Sequence, residues 1–250
     1  MQQYFVNGRA PQGIFQIKDK DTAKHMFSVM RLQADDQTVL VFDDGIKRLA
    51  RVVSSSQQQL EIVQELRDDV ELPVQVTIAS GFPKGDKLDF VTQKATELGA
   101  SGIWAYPADW SVVKWDCKKL AKKAEKLEKI AQGAAEQSKR NRLPDIRLFD
   151  KKADFLAQLT DFDKVFIAYE ESAKAGEMAR LAQELQAVEA KQKILFIFGP
   201  EGGISPKEIE AFEQAGGIPV GLGPRILRTE TAPLYALSAV SYAVEMNQTH

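Results

Sequence analysis

The chain is nearly devoid of the residues from which metal sites and disulfides are built. Its 250 residues include one cysteine, Cys117, and two histidines, His25 and His250. One thiol cannot close an internal disulfide. With no Cys/His cluster, a structural zinc site is excluded and no metal is expected. Ser–His catalysis would have only His25 to draw on. Cys117 opens a lysine-rich segment with no histidine near it and reads as a structural residue. No apolar run approaches the roughly 20 residues that span a bilayer. The start, Met1-Gln2-Gln3-Tyr4-Phe5-Val6, lacks the basic and apolar regions of a signal peptide. The expectation is a cytoplasmic protein without membrane contact.

Two ligand motifs and a charge excess are also missing. Neither the phosphate-binding pattern G-x-x-x-x-G-K-[ST] nor the dinucleotide pattern G-x-G-x-x-G follows a predicted strand, which demotes ATP-driven and conventional nicotinamide chemistry. The balance of 33 basic against 35 acidic residues, net −2, argues against a generic nucleic-acid binder. Distribution matters more than the total. Between Lys114 and Arg147 the chain carries 11 lysines and arginines against 5 acidic residues. Such a stripe attracts phosphate even on a slightly acidic molecule, although a solvated helix face is the plainer reading.

What is present is enough for a core: 44% hydrophobic and 27% charged residues, as in ordinary globular proteins. Residues 1–72 read as short strands, Tyr4–Val6, Thr38–Phe42, Leu49–Val53 and Leu60–Val63. Turn signals such as Asn7-Gly8 and Asp43-Asp44-Gly45 separate them, with one helix expected over Thr22–Leu32. That profile predicts a small, mostly β, barrel-like domain, bounded near Pro73.

From residue 73 to 250, strands and helices alternate, which predicts an α/β domain with a largely parallel sheet. Strands are expected at Val74–Ala79, Ile103–Tyr106, Lys164–Tyr169, Ile194–Phe198 and Ile218–Gly221. Asp86 is the expected N-cap of a helix that stops at Gly99. A longer helix spans Cys117–Arg140, burying Leu120, Ala124, Leu127, Ala131 and Ala134. Others run from Gly176 to Glu189 and from Glu230 to Met246. Ser205-Pro206-Lys207-Glu208 is a capping box with proline at the first helical position.

Two loops follow predicted strands, where ligands of open α/β sheets bind. The first is Gly199-Pro200-Glu201-Gly202-Gly203-Ile204-Ser205, and the second runs from Gly221 to Ala232. Glycines let backbone approach a ligand closely, though a tight turn before a capped helix explains them equally well. In the second loop, Ile226 and Leu227 could contact a flat adenine while Arg225 and Arg228 hold phosphates. Alternatively, the apolar pair plugs a core and the arginines pair with Glu201 or Glu230.

Gly199-Pro200-Glu201-Gly202-Gly203 and Leu222-Gly223-Pro224-Arg225-Ile226-Leu227-Arg228-Thr229-Glu230-Thr231-Ala232 together resemble the paired motifs of the bacterial 16S ribosomal RNA uridine N3-methyltransferases of the SPOUT superfamily. The likeness extends to Lys84–Asp89, Gln93–Gly99, Ala134–Arg140 and His25–Leu32. The resemblance implies a PUA-like β-barrel over 1–72 that binds RNA, followed by a knotted α/β methyltransferase domain over 73–250. It also implies a homodimer, S-adenosylmethionine as cofactor, and 16S rRNA, within the small ribosomal subunit, as partner. Carried over, Gly199, Pro200, Glu201, Gly202 and Gly203 would line the cofactor pocket with Leu222, Gly223, Ile226 and Leu227, and Thr231 and Ala232 would begin the helix beneath it. The chain departs from the family at Trp110, where an arginine is usual, at Gln2-Gln3 and at Pro233.

The reaction implied is methylation of uracil N3, on the pairing edge of a base that must be unpaired or turned out. Arg225 or Arg228 is expected to stabilise the developing uracil anion, and Glu201 or Glu230 to orient the arginine or relay the proton. Arg9, Arg31, Lys84 and Arg140 are the candidates for RNA phosphate contacts. Two rival readings are a related knotted enzyme acting on a ribose hydroxyl or another base, and a ribosome-assembly factor that binds no cofactor.

Overall fold

The structure, a computed structural model, describes residues 1–169 and 178–246. The expected helix start at Gly176 and the terminal His250 lie outside the described residues. The chain divides into two compact units, residues 1–71 with 135–142, and residues 72–134 with 143–250.

The first unit is built on a five-stranded sheet. Its strands are β1 (Gln3–Phe5), β2 (Ile14–Gln16), β3 (Gln37–Val41), β4 (Lys47–Ser54) and β5 (Gln59–Glu65), in the order β1-β3-β4-β5-β2. β1 joins β3 in parallel, and the remaining pairs are antiparallel. Tyr4, Leu40, Ala50, Val52 and Leu60 form its core with Met26. The expected helix over Thr22–Leu32 is shorter and begins earlier. α1 (Lys20–Lys24) is capped by the Asp19 carboxylate, which accepts from the Thr22 amide at 2.7 Å, and a π-helical turn over His25–Val29 follows. β2 falls outside the strands expected from sequence, because three residues are too few for a period to show.

Residues 135–142 belong to this unit through specific hydrogen bonds. Gln3 Nε2 donates to the Arg140 carbonyl at 2.6 Å, and Asn141 Nδ2 donates to the Gly45 and Asp68 carbonyls at 3.0 and 3.1 Å. Arg140 itself is only 3% exposed and its guanidinium is paired with Glu71. The expectation that Arg140 meets an RNA phosphate is therefore corrected, since a buried, committed guanidinium presents nothing to solvent.

The second unit holds a six-stranded parallel sheet: β6 (Gln75–Gly81), β7 (Gly102–Tyr106), β8 (Asp145–Leu148), β9 (Lys164–Ala168), β10 (Lys193–Phe198) and β11 (Ile218–Val220), in the order β11-β9-β10-β6-β7-β8. Alternate residues of a strand face opposite ways, and here both faces are dry. Ile194, Phe196 and Phe198 of β10 join one core cluster, while Leu195 and Ile197 join another. That double burial explains why β10 reads as an unbroken apolar run.

The helices of this unit are α2 (Lys87–Glu97), α3 (Cys117–Gln137, its last three residues counted with the first unit), α4 (Lys152–Leu156), α5 (Met178–Gln186), α6 (Pro206–Gln214) and α7 (Ala232–Ser241), the last followed by a π-helical turn over Tyr242–Met246. Asp86 takes the N-cap position of α2 as expected, although its side chain makes no capping hydrogen bond. Gly99, at φ +93°, ends the segment as expected. α3 stops short of Arg140, and Lys139 just beyond it adopts a left-handed φ of +61° that terminates helical winding. The capping box is present: Ser205 Oγ accepts from the Glu208 amide at 3.2 Å, and Glu208 accepts from the Ser205 amide at 3.1 Å. No described helix is long and apolar enough to cross a membrane.

Candidate functional site

Because every strand of the second sheet runs the same way, the loops that leave their carboxyl ends gather along one edge. Three of them meet there: residues 199–205 after β10, residues 221–231 after β11, and residues 107–111 after β7. Together they line a cleft of about 650 Å³, within the range of small-molecule sites. Gly199, Pro200, Glu201, Gly202 and Gly203 line it, as do Leu222, Gly223, Arg225, Ile226, Leu227, Arg228 and Ala232. Thr231 and Glu230 do not. Thr231 is exposed at the N-cap of α7 without a side-chain cap bond.

The glycines are demanded by close approach. A Cβ on Gly199 would stand 2.5 Å from the Gly203 carbonyl carbon, because the loop folds back on itself. A Cβ on Gly81, at the end of β6, would stand 2.5 Å from Pro200 Cδ. These approaches let the loop wrap tightly and turn its backbone groups toward the cleft.

Charge is organised by a residue to which sequence reasoning assigns no role. Lys87, in the first turn of α2, places Nζ 2.9 Å from Glu201 Oε1 and 3.4 Å from Glu230 Oε2. It thereby joins the loop after β10 to the loop after β11. Glu201 also accepts from the Lys84 amide at 3.0 Å. Its bond to Glu201, then its pairing with Glu230, pushes the Lys87 ammonium above the usual lysine value. Burial alone would raise the Glu201 carboxyl, but Lys87 and the amides of Glu201 and Lys84 outweigh it and hold the group below the ordinary glutamate range. Glu230 Oε2 is buried and lacks a hydrogen-bond partner among the described residues, its contact with Lys87 being an ion pair only.

Glu201 or Glu230 is expected from sequence to orient Arg225 or Arg228 or to relay the proton, and neither glutamate pairs with either arginine. Both carboxylates are taken by Lys87, and among the described residues neither arginine forms an ion pair. Arg225 and Arg228 are exposed on the cleft, so the alternative in which they neutralise the glutamates is also set aside. Nor does Ile226 plug a core, since it is 78% exposed. Of the other expected RNA contacts, Lys84 is exposed beside Glu201, and Arg9 and Arg31 are exposed in the first unit. Lys87 lies inside the Lys84–Asp89 stretch that carries the resemblance, but nothing in that stretch says which partners a lysine will meet.

The third loop is tied to the same edge. Ser205 Oγ donates to Asp109 at 2.7 Å, and the Asp109 amide donates to Glu208 Oε1 at 2.9 Å. Lys152 at the start of α4 pairs with Asp109 and lies 3.0 Å from Glu208. The bonds from Lys152 and Ser205 hold the Asp109 carboxyl below its usual value. Among the described residues no group of His, Cys, Asp and Glu is arranged to hold a metal ion.

Comparison with known proteins places both parts of the chain in described families. Residues 70–241 match the sequence model of a family described as an RNA methyltransferase domain, and residues 17–65 match one described as an RNA methyltransferase PUA domain. The chain is 42% identical over 252 residues to ribosomal RNA small subunit methyltransferase E of Bacillus subtilis, covering 98% of each. A methyltransferase of Legionella pneumophila, solved with its cofactor S-adenosylmethionine bound, superposes with a TM-score of 0.80 at 27% identity, covering 96% of this chain and 97% of that one. A ribosomal RNA small subunit methyltransferase E of Neisseria gonorrhoeae bound to S-adenosylmethionine gives 0.78 at 27% identity, covering 97% of both.

Proposed function

The chain belongs to the RNA methyltransferase family, and on that premise we propose that it methylates N3 of a specific uridine in 16S rRNA at the expense of S-adenosylmethionine. The observation that carries the reading is the cleft where the two glycine-containing loops meet, latched by Lys87.

The cleft suits that cofactor. Its walls alternate backbone-rich glycine turns with the apolar Leu222, Ile226 and Leu227, which can take an adenine face. Gly199–Gly203 and Leu222–Leu227 would hold the cofactor, with Ala232 opening the helix beneath. When bound, S-adenosylmethionine supplies an electrophilic methyl carbon on a sulfonium centre.

The protein's own task is to position the acceptor and manage its charge. Uridine N3 carries a proton and sits on the pairing edge, so the base must leave its helix. Arg228 and Arg225, exposed on the cleft and unclaimed by the glutamates, stabilise the negative charge that develops on the uracil oxygens as that proton leaves. Lys87 keeps Glu201 and Glu230 from neutralising them. The departing proton passes to solvent at the mouth of the cleft, while Glu230, which does not line the cleft, acts through Lys87.

The same reading makes residues 1–72 the RNA-binding barrel and residues 73–250 the methyltransferase domain with the family's knotted threading. Arg9, Arg31 and Lys84 serve as phosphate contacts within the small ribosomal subunit, a substrate that implies a cytoplasmic enzyme. A homodimer is supported by α7, an apolar helix that leaves Tyr235 exposed, and by Tyr242 and Met246 of the turn after it.

The test is incubation of the purified protein with labelled S-adenosylmethionine and small ribosomal subunits from cells lacking this modification, followed by nucleoside analysis. Labelled 3-methyluridine is expected. Another methylated nucleoside would overturn the uracil N3 assignment. Absence of label together with absence of cofactor binding would leave an assembly factor.

A further inference from the structure

Trp110 is the residue at this edge that the reaction described above leaves without work. Its indole lines the cleft and is 47% exposed, whereas Trp104 and Trp115 are 5% and 7% exposed. Large flat apolar surface left in water at a ligand cleft is a binding surface in search of its partner.

The ring is set in place by its surroundings. It packs along the Gly202–Gly203 turn. A Cβ on Gly202 would stand 2.9 Å from Trp110 Cβ and 3.2 Å from the Trp110 carbonyl oxygen, and one on Gly203 would stand 3.9 Å from Cζ3. Gly202 thus makes room for the Trp110 backbone and Cβ, and the ring lies in van der Waals reach of Gly203, against the cofactor loop. On either side of Trp110 the backbone is pinned: the Asp109 amide donates to Glu208, which is 1% exposed, and the Ser111 amide donates to the Ala108 carbonyl at 3.0 Å. Lys152 bridges Asp109 and Glu208. An aromatic anchor held this way loses little conformational freedom on binding.

We propose that Trp110 is the stacking platform on which the flipped target base rests. This rests on the function proposed above and extends it from cofactor to acceptor. The occupant follows from position and charge. Ile226 and Leu227 reach the cleft from the end of β11, and Trp110 reaches it from the end of β7, with β9, β10 and β6 lying between in the sheet. One flat ligand face is thus served from each end: adenine on the apolar pair, the acceptor base on the indole. The exposed guanidiniums of Arg225 and Arg228 complement the acceptor's phosphates and its developing anion. Stacking on an aromatic face supplies affinity for a base out of its helix without reading its edge, leaving N3 accessible.

The experiment compares the full-length protein with Trp110→Ala and Trp110→Phe, measuring S-adenosylmethionine affinity by calorimetry, kcat and KM on small subunits, and association state by sedimentation. Trp110→Ala is expected to lower kcat/KM for the RNA about tenfold to a hundredfold, with cofactor affinity within about twofold of the parent and association state unchanged. Trp110→Phe is expected to recover most of the loss, because it keeps an aromatic face. A uridine oligonucleotide added to the cofactor-loaded parent is expected to quench its tryptophan fluorescence, and the quench is expected to vanish in Trp110→Phe. Unchanged kcat/KM in Trp110→Ala would overturn the proposal. So would a loss of cofactor affinity as large as the loss of turnover, which would make Trp110 a wall of the cofactor site, or a shift in association state, which would make it an interface residue. Failure of the parent to methylate RNA would instead overturn the function from which the proposal starts.

Discussion

Lys87 Nζ stands 2.9 Å from Glu201 Oε1 and 3.4 Å from Glu230 Oε2, so a single ammonium ties together the loops that follow β10 and β11. The pair is partly shielded, with side-chain exposures of 33% for Lys87 and 22% for Glu201, and its worth lies in loop geometry more than in raw Coulomb energy. Replacing Lys87 by methionine leaves the Glu201 and Glu230 carboxylates close together without the cation that joins them. The expected outcome is a loss of S-adenosylmethionine affinity of about tenfold, equivalent to one charge-assisted hydrogen bond, read by calorimetry with the fold checked by circular dichroism. Unchanged affinity would remove Lys87 from the site.

The same clamp has a pH window. Glu201 is held below its ordinary 4.5, so its contribution is complete above that value and is lost as the pH falls through the lower folded value. Lys87 is held above 10.5, so its contribution is complete below that value and is lost only as the pH rises past the higher folded one. Cofactor affinity is therefore expected to be insensitive to this pair from about pH 5 to pH 10 and to weaken on the acid side below it. A titration midpoint near neutrality in wild type that persists in Lys87→Met would have to arise elsewhere.

Arg228 is expected to act on the acceptor and not on the cofactor. Arg228→Ala should lower kcat by about a hundredfold, the scale of removing one group that stabilises transition-state charge, while S-adenosylmethionine affinity changes by less than about twofold. Near-normal turnover would exclude the assignment.

Gly199→Ala is expected to abolish detectable cofactor binding. The added Cβ would meet the Gly203 carbonyl carbon at 2.5 Å and the Ile204 amide nitrogen at 2.8 Å, both backbone atoms that move only if the loop opens. Thermal unfolding should shift much less than binding, because the loop lies at the sheet edge and not in its core.

Arg140→Ala should behave as a stability variant. Removing the guanidinium takes the cation from Glu71 but leaves it the Asn141 and Arg142 amides, so a cost of about 2–3 kcal/mol, below that of a fully unpaired buried charge, is expected in denaturant unfolding. Under conditions where the variant is folded, RNA affinity and its salt dependence should match the parent. Lys84→Ala should do the reverse, reducing the salt slope of RNA binding by about one with little effect on unfolding.

Much of the scaffold is legible along the chain. The unbroken apolar runs of β9 and β10 announce a doubly covered parallel sheet, and Ser205-Pro206-Lys207-Glu208 announces the start of α6, because strand and helix periods and cap chemistry operate within a few residues. β2, β8 and α4 escape notice, being too short for a period to show. Of the candidate site, the glycine loops and their position after strands are readable, and the partners of their charged residues are not.

The sequence by itself determined the alternation of strands and helices in residues 73–250, the two glycine loops at strand ends and the motifs that align this chain with an RNA methyltransferase family. Only the tertiary structure decided that Lys87 would claim both glutamates, that Arg140 would be buried against Glu71, and that Trp110 would open onto the cleft. The physical reason is range. Periodicity and capping are set by neighbours along the chain, whereas an ion pair or a ring contact depends on which strands lie side by side. The order β11-β9-β10-β6-β7-β8 brings distant segments to one edge, and no local pattern encodes that order.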